Sequence, residues 1–286
     1  MAVNREDYLS MMEQAANRVP YWARSTNPIV RRHLGLNWRT LPPQMQPLIM
    51  GVGIWSLILF IGLILPIVRD TAAMLFLSSI IVLPVTGLLY AHVLVTIAVT
   101  AADTMQEEMR NNTLSLLRTT PMSLEQIFLG KIAVALWKRM DDLVLVSQVV
   151  VAFAPPILLV VYSEFWALDQ YPVLSQVMVI ISLIVSLLRL IIEPVFIGTL
   201  AIFISVLVPN RATAITGTVA LSVFYFVMIN LVNRLPFIRG AELLDGTIIP
   251  PNHLMIGLFE FVLPLLLPAL LSYVFLRLAV RTVTAD

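Results

Sequence analysis

The sequence predicts an all-α, polytopic membrane protein with six transmembrane helices, and three observations carry that expectation. Of 286 residues, 59% are hydrophobic and only 12% are charged, and the mean hydropathy is +0.92. A soluble domain carries roughly 25% charged residues, so this chain cannot cover a globule with polar surface. The apolar residues also fall in long uninterrupted runs, whereas barrel strands would alternate every second residue over ~10 residues. Finally, lysine and arginine segregate into alternate loops. Together these exclude a soluble enzyme, a disordered chain and a nucleic-acid binder.

A membrane helix needs about 20 mostly apolar residues to cross ~30 Å of hydrocarbon. Six runs satisfy this, at about 47–68, 72–100, 143–162, 179–208, 212–232 and 253–276. The fourth is read from 170–210, which is long for one span and short for two. One helix ending near Val208 is preferred, with 163–178 as an outer loop or interfacial segment, because two spans would reverse the placement of Arg277 and Arg281. With the N-terminus inside, inner segments hold 14 Lys or Arg and outer segments 3. The positive-inside rule then puts both termini in the cytosol. The expected location is the cell (inner) membrane. The net charge of +1 provides no field to steer a charged partner, and the absence of cysteine removes disulfides and thiolate chemistry.

Residues 1–26 read as a cytosolic N-terminal arm and 27–286 as the transmembrane domain. The first 46 residues are polar, so no signal peptide is expected and the first span acts as its own insertion signal. Asn27-Pro28 reads as a helix start, with asparagine as cap and proline at the first helical position. Val30, Leu34, Trp38 and Leu41 follow as one apolar stripe, with Arg32 and Arg39 opposite. Such a helix is expected to lie along the inner leaflet.

No charge occurs from Thr71 to Ala102. Those residues would reach ~48 Å as a helix, beyond the hydrocarbon thickness, so the second helix is expected to protrude into the cytosol. The protrusion carries Asp103, Glu107, Glu108 and Arg110, then Leu114, Leu116 and Leu117. Thr120-Pro121 stops it. A second short helix opens at Ser123, which has capping-box spacing to Gln126. Leu124, Ile127 and Phe128 form a small apolar face, and exposed apolar surface on a rigid helix end marks a docking site. A short helix lying on the membrane is the plainer alternative.

The stretch Glu107-Glu108-Met109-Arg110-Asn111-Asn112-Thr113-Leu114-Ser115-Leu116-Leu117-Arg118-Thr119-Thr120-Pro121-Met122-Ser123, with Ile127 and Gly130-Lys131 beyond it, resembles the signature of ABC-2 type transporter permeases. Asn112 stands where glycine is usual and Ser115 where glutamate is usual. The segment Asn27-Pro28-Ile29-Val30-Arg31-Arg32 is similar to the start of that family's amphipathic elbow helix, and the resemblance covers roughly 25–280. It implies that the hairpin after the second span is a coupling element that docks into a separate ATPase subunit. The docking residues it implies are Glu107, Glu108, Arg110, Leu114, Leu117, Thr120, Pro121, Met122, Ser123, Leu124 and Ile127. It further implies partners: two ABC ATPase subunits and a second permease subunit, with lipid around them and no nucleic acid.

ATP chemistry inside this chain is not expected. A phosphate loop needs Gly-Lys-Ser/Thr, and the two lysines sit in Gly130-Lys131-Ile132 and Trp137-Lys138-Arg139. The chain is therefore expected not to be an enzyme and to hold no cofactor, with ATP and Mg in the partner ATPase. The alternative is a secondary transporter or channel driven by an ion gradient, which needs an acid within a span. Arg189 and Glu193, four residues apart, share a helix face and can pair, either as a structural ion pair or as a gate or substrate contact. Glu260 is the other acid. His92 reads as a satisfied buried histidine, since no metal-ligand spacing accompanies it. Asp141-Asp142 reads as an interfacial acidic pair, and Asn230 with Asn233 as a helix–helix hydrogen-bond site. No metal site is expected.

Overall fold

The computed structural model describes residues 20–24, 27–34, 45–65, 67, 71, 74–111, 113, 119, 121–165, 172–234 and 261–285. Among these residues the structure is helical and contains no strand. A 3-10 turn at Tyr21–Ala23 precedes α1 (Pro28–Leu34), α2 (Met45–Ile64), α3 (Phe76–Arg110), α4 (Leu124–Lys138), α5 (Met140–Phe165), α6 (Pro172–Leu207), α7 (Arg211–Arg234) and α8 (Leu263–Ala285).

Five helices, α3, α5, α6, α7 and α8, are long and apolar enough to cross a membrane. Over its described apolar stretch, Pro47–Gly62, α2 is shorter than these five. Several boundaries differ from those expected. Residues 172–178 belong to α6 and are not a loop; Pro172 suits the first helical position, where a missing N–H leaves nothing unpaired. Helix α8 runs on to Ala285, and 253–260 lie outside the described residues. The expected length is present: α3 continues unbroken through Pro84 to Arg110, about 52 Å at 1.5 Å per residue.

Helix α6 is the hub, packing against α3, α5, α7 and α8. The main core joins Ile97, Ala98 and Ala101 of α3 to Phe196, Ile197, Leu200 and Ala201 of α6, with Tyr225 of α7. Alanines on α3 let the helices approach closely. A second cluster forms at one end of the bundle. There Ile127, Phe128 and Ile132 of α4 pack against Met105 of α3, Ile202 of α6, and Ala279 and Val283 of α8. Helix α4 is thus tied to three long helices at once.

Gly198 makes that end layer possible. A Cβ added there would lie 2.8 Å from Ile132 Cγ2, closer than packed carbons approach. Gly198→Ala is expected to cost about 1–3 kcal/mol by overpacking. Gly217→Ala serves as the control, because its Cβ would meet Ile204 Cγ2 at an ordinary 3.6 Å. Thermal melts of the two variants in mild detergent check this; equal midpoints would contradict the close α4–α6 approach.

Candidate functional site

The end layer is built from the 3-10 turn, α1 and α4, set against the end of α3. Ser123 caps α4 as its spacing predicts. Its hydroxyl accepts from the Gln126 backbone N–H at 3.3 Å, and its own N–H donates to Gln126 Oε1 at 3.3 Å. Asn27 caps α1, accepting from the Ile29 N–H at 2.9 Å and donating to the Trp22 carbonyl at 3.1 Å. Gly130 faces both Asn27 and Ile29, which a Cβ added there would meet at 3.4 Å, so α1 lies in close contact with α4 at this point. Trp137 Nε1 donates to the Ala23 carbonyl at 3.1 Å and holds the 3-10 turn down. The apolar stripe expected on the inner leaflet turns out to be a packing face. Its described members, Val30 and Leu34, are buried against Ala133 and Val134 of α4. Trp38, Arg39 and Leu41 lie outside the described residues.

Lys131 is fully buried beneath this layer. Its Nζ donates to the Thr104 carbonyl at 3.0 Å and lies 3.4 Å from Glu108 Oε1. Arg32 Nη1 lies 3.6 Å and His33 Nε2 3.9 Å from the same oxygen, and the Thr113 hydroxyl donates to Glu108 Oε2. One carboxylate thus joins α1, α3 and α4. Burial lowers the Lys131 pKa, and Glu108 opposes that shift. Burial also lowers the His33 pKa, with Lys131 and Arg32 adding to the effect, so the ring favours its neutral form. Beside the cluster is a cavity of about 350 Å³ lined by Tyr21, Ile29, Arg32, Pro121 and Met122 among others. Two further ion pairs brace the layer: Arg277 to Glu125, and Arg211 to Asp103 through a bidentate contact at 2.7 and 2.9 Å. Gln106 Nε2 donates to the carbonyls of Ser205 and Val208, closing the end of α6.

The residues assigned to docking divide by this geometry. Glu107, Arg110, Pro121 and Ser123 are exposed, and Met122 and Leu124 are half-buried. Glu108 and Ile127 face inward, Glu108 into the ionic cluster and Ile127 into the α4 core, so neither offers surface to a partner. The apolar face read as an exposed knob is covered by the chain's own helices. Leu114, Leu117 and Thr120 lie outside the described residues.

Within the spans, Arg189 and Glu193 pair as their spacing predicts. Arg189 Nε and Nη2 donate to Glu193 Oε1 at 3.0 and 2.7 Å. Tyr90 of α3 donates to Oε2 at 2.9 Å, and Tyr225 of α7 reaches Oε1 at 3.5 Å. Both Glu193 oxygens are therefore engaged, and the network links three helices. The tyrosines carry no local sequence signal, because Tyr90 and Glu193 are 103 residues apart. Lys131 was missed for a similar reason: its partners Thr104 and Glu108 lie on another helix, more than 20 residues away.

His92 overturns its reading. It lies on the exposed face of α3, not in the interior. Asp142 pairs with Arg139 at 3.3 Å. Glu260 and the side chains of Asn230 and Asn233 lie outside what the structure describes. Among the described residues no cluster of potential ligands could hold a metal ion. No family model, curated protein or solved structure matches the chain.

Proposed function

We propose that the chain is the membrane-spanning permease subunit of an ATP-driven ABC transporter of the ABC-2 type. In this reading it spans the inner membrane six times, α2 included, with both termini and the α4 layer in the cytosol. It pairs with a second permease subunit and two ATPase subunits, and exports a substrate by alternating access. The ATPases hydrolyse ATP, and closure of the pair shifts the population of two bundle arrangements.

The observation that carries this reading is the bracing of the end layer. Helix α4 is locked to α3 through Lys131 and Thr104, to α6 through Ile132 and Gly198, and to α8 through Glu125 and Arg277. A push on α4 therefore moves three long helices as a unit, which is what a coupling element requires. The ridge left outside, Glu107, Arg110, Pro121, Met122 and Ser123, mixes charge with a small apolar centre suited to a transient protein contact.

The gradient-driven alternative needs a carboxylate free to take up an ion. Glu193 has both oxygens engaged by Arg189 and two tyrosines, which favours the permease reading.

Docking is tested on the exposed ridge. Glu107→Lys combined with Arg110→Glu, both on exposed positions, is expected to reduce ATPase co-purification at least about tenfold, equivalent to a loss of about 1.4 kcal/mol. The thermal midpoint of the permease itself should not change. Retention of the full ATPase complement by a folded double variant would reject the assignment. Ile127 is unsuitable for this test, since a charge there would attack the fold.

A further inference from the structure

The cavity of about 350 Å³ in the end layer is walled by separate pieces of the chain. The 3-10 turn contributes Tyr21, α1 contributes Arg32 and His33, α3 contributes Glu108 and α4 contributes Lys131, and Met122 closes it from the segment between α3 and α4. Its size falls at the lower end of the range for small-molecule clefts, about 300–1,000 Å³.

Charge is presented unevenly to this space. Among the described lining residues, the cations Arg32 and Lys131 stand against one carboxylate, Glu108, so one positive charge is in excess. The Glu108 side chain is 5% exposed, with its two oxygens turned toward Lys131 and Thr113, whereas the Arg32 side chain is 62% exposed. A molecule entering the cavity therefore meets the cation and not the carboxylate. The next charges felt at the cluster, Glu107 and Lys138, are of opposite sign.

Donors also outnumber acceptors. Arg32, His33 and Lys131 converge on the single oxygen Glu108 Oε1 at 3.6, 3.9 and 3.4 Å. An N–H···O hydrogen bond spans about 2.7–3.2 Å, so all three contacts are loose. Lys131 has the Thr104 carbonyl as a second partner. The side chains of Arg32 and His33 make no hydrogen bond among the described residues. A guanidinium is a planar fork of donors that matches a carboxylate or phosphate, and here that fork is unspent. The rest of the wall is apolar, with the half-exposed Tyr21 ring, Ile29 and Met122.

We propose that this cavity binds a small organic anion: a carboxylate or phosphate carried on an apolar body about the size of one ring. Arg32 holds the oxyanion, His33 donates to it, and the buried Lys131 lends charge from beneath. Tyr21, Ile29 and Met122 cover the apolar body. A nucleoside triphosphate is a poor match, because it brings several negative charges to a surplus of one. Position argues for a soluble ligand over a lipid headgroup. Glu108 lies five residues, about 7.5 Å, past Asp103, the first charge after the apolar run of α3. The headgroup layer is only roughly 5–8 Å deep on each side of the hydrocarbon, so the cavity opens on water. The site rests on these residues alone. Its consequence, that an occupant holding Met122 against α1 regulates ATPase docking on the neighbouring ridge, rests on the permease reading.

The test is isothermal titration calorimetry on the full-length chain in a mild neutral detergent, with phenyl phosphate as probe. Phenyl phosphate is expected to bind at least about tenfold more tightly than either inorganic phosphate or benzyl alcohol, since each of these lacks one half of the recognised chemistry. Arg32→Gln is expected to weaken it at least about tenfold. Arg281→Gln removes the same charge from an exposed position on α8 outside the cavity and should leave binding unchanged. Tyr21→Ser should weaken phenyl phosphate but not inorganic phosphate, and it carries the test if melts show that Arg32→Gln fails to fold. Phosphatidic acid added to the micelles separates the two sources. Displacement of the probe would assign the site to a headgroup, and no displacement to a soluble anion, with the oxyanion site upheld in both cases. Absence of saturable phenyl phosphate binding would overturn the proposal. So would equal losses in Arg32→Gln and Arg281→Gln, or benzyl alcohol binding as tightly as phenyl phosphate. Binding is read on this chain without an ATPase, so failure of the site leaves the permease reading standing, and absence of an ATPase partner leaves the site standing.

Discussion

Glu193→Leu is expected to destabilise the bundle by about 3–5 kcal/mol, the typical penalty for stripping one partner from a buried ion pair. The variant leaves the Arg189 guanidinium without its carboxylate and two tyrosine hydroxyls, on α3 and α7, without an acceptor. It also removes a group that ties α3, α6 and α7 together at one depth. The double variant Arg189→Leu with Glu193→Leu should recover much of the loss, because both charges leave together and only the hydroxyls stay unpaired. Tyr90→Phe alone should cost about 1–3 kcal/mol, the price of leaving one Glu193 oxygen buried without its donor. Thermal melts in one mild detergent give all three values, together with that of Arg189→Leu alone. Additive losses for Arg189 and Glu193 would show that the two side chains act independently, contrary to the geometry.

The second large effect concerns Glu108→Leu, and it is expected to depend on pH. Glu108 supplies the charge that keeps a proton on Lys131, whose burial otherwise lowers its pKa. Without Glu108, Lys131 keeps only the Thr104 carbonyl, and near neutral pH the loss should again be about 3–5 kcal/mol. The folded lysine then gives up its proton at a lower pH than the unfolded one, which titrates near its ordinary 10.5. Between those two values the unfolded chain binds more protons, so stability rises with pH. The deficit of Glu108→Leu is therefore expected to shrink as the pH is raised from 7 toward 10. Combining it with Lys131→Met should abolish that dependence. Melts across this range provide the check, and a deficit that does not change with pH would mean that Lys131 is not the group left unpaired.

These two clusters also mark what could be read from the residues alone. The Arg189–Glu193 pair, the Ser123–Gln126 capping box, the Asn27-Pro28 start and the length of α3 were legible because each is set by neighbours within about one helical turn or by the length of an apolar run. What escaped was everything set by a second helix. Tyr90 and Tyr225 join Glu193 only because α3 and α7 flank α6. Glu108 and Ile127 looked like docking residues because a charge and an apolar face at a helix end suggest exposure, yet α1, α6 and α8 cover them. His92 erred in the opposite direction: a lone polar residue in a greasy run suggests an interior position, and only the packing of α3 against its neighbours shows which way it faces. The start of α6 at Pro172 was missed because 170–210 was weighed by the length of one span and the placement of Arg277 and Arg281, and not by proline's fit to a first turn.

The most direct test of the ATP-driven reading is the composition of the complex carried by this chain. Full-length protein is purified in mild detergent from its own membranes, and its native mass and nucleotide hydrolysis are measured on the same peak. Two permease subunits with two chains bearing a phosphate-binding loop, hydrolysing ATP, are predicted. A homogeneous, folded permease that elutes without such chains and still carries its cargo across liposome membranes without nucleotide would contradict the account.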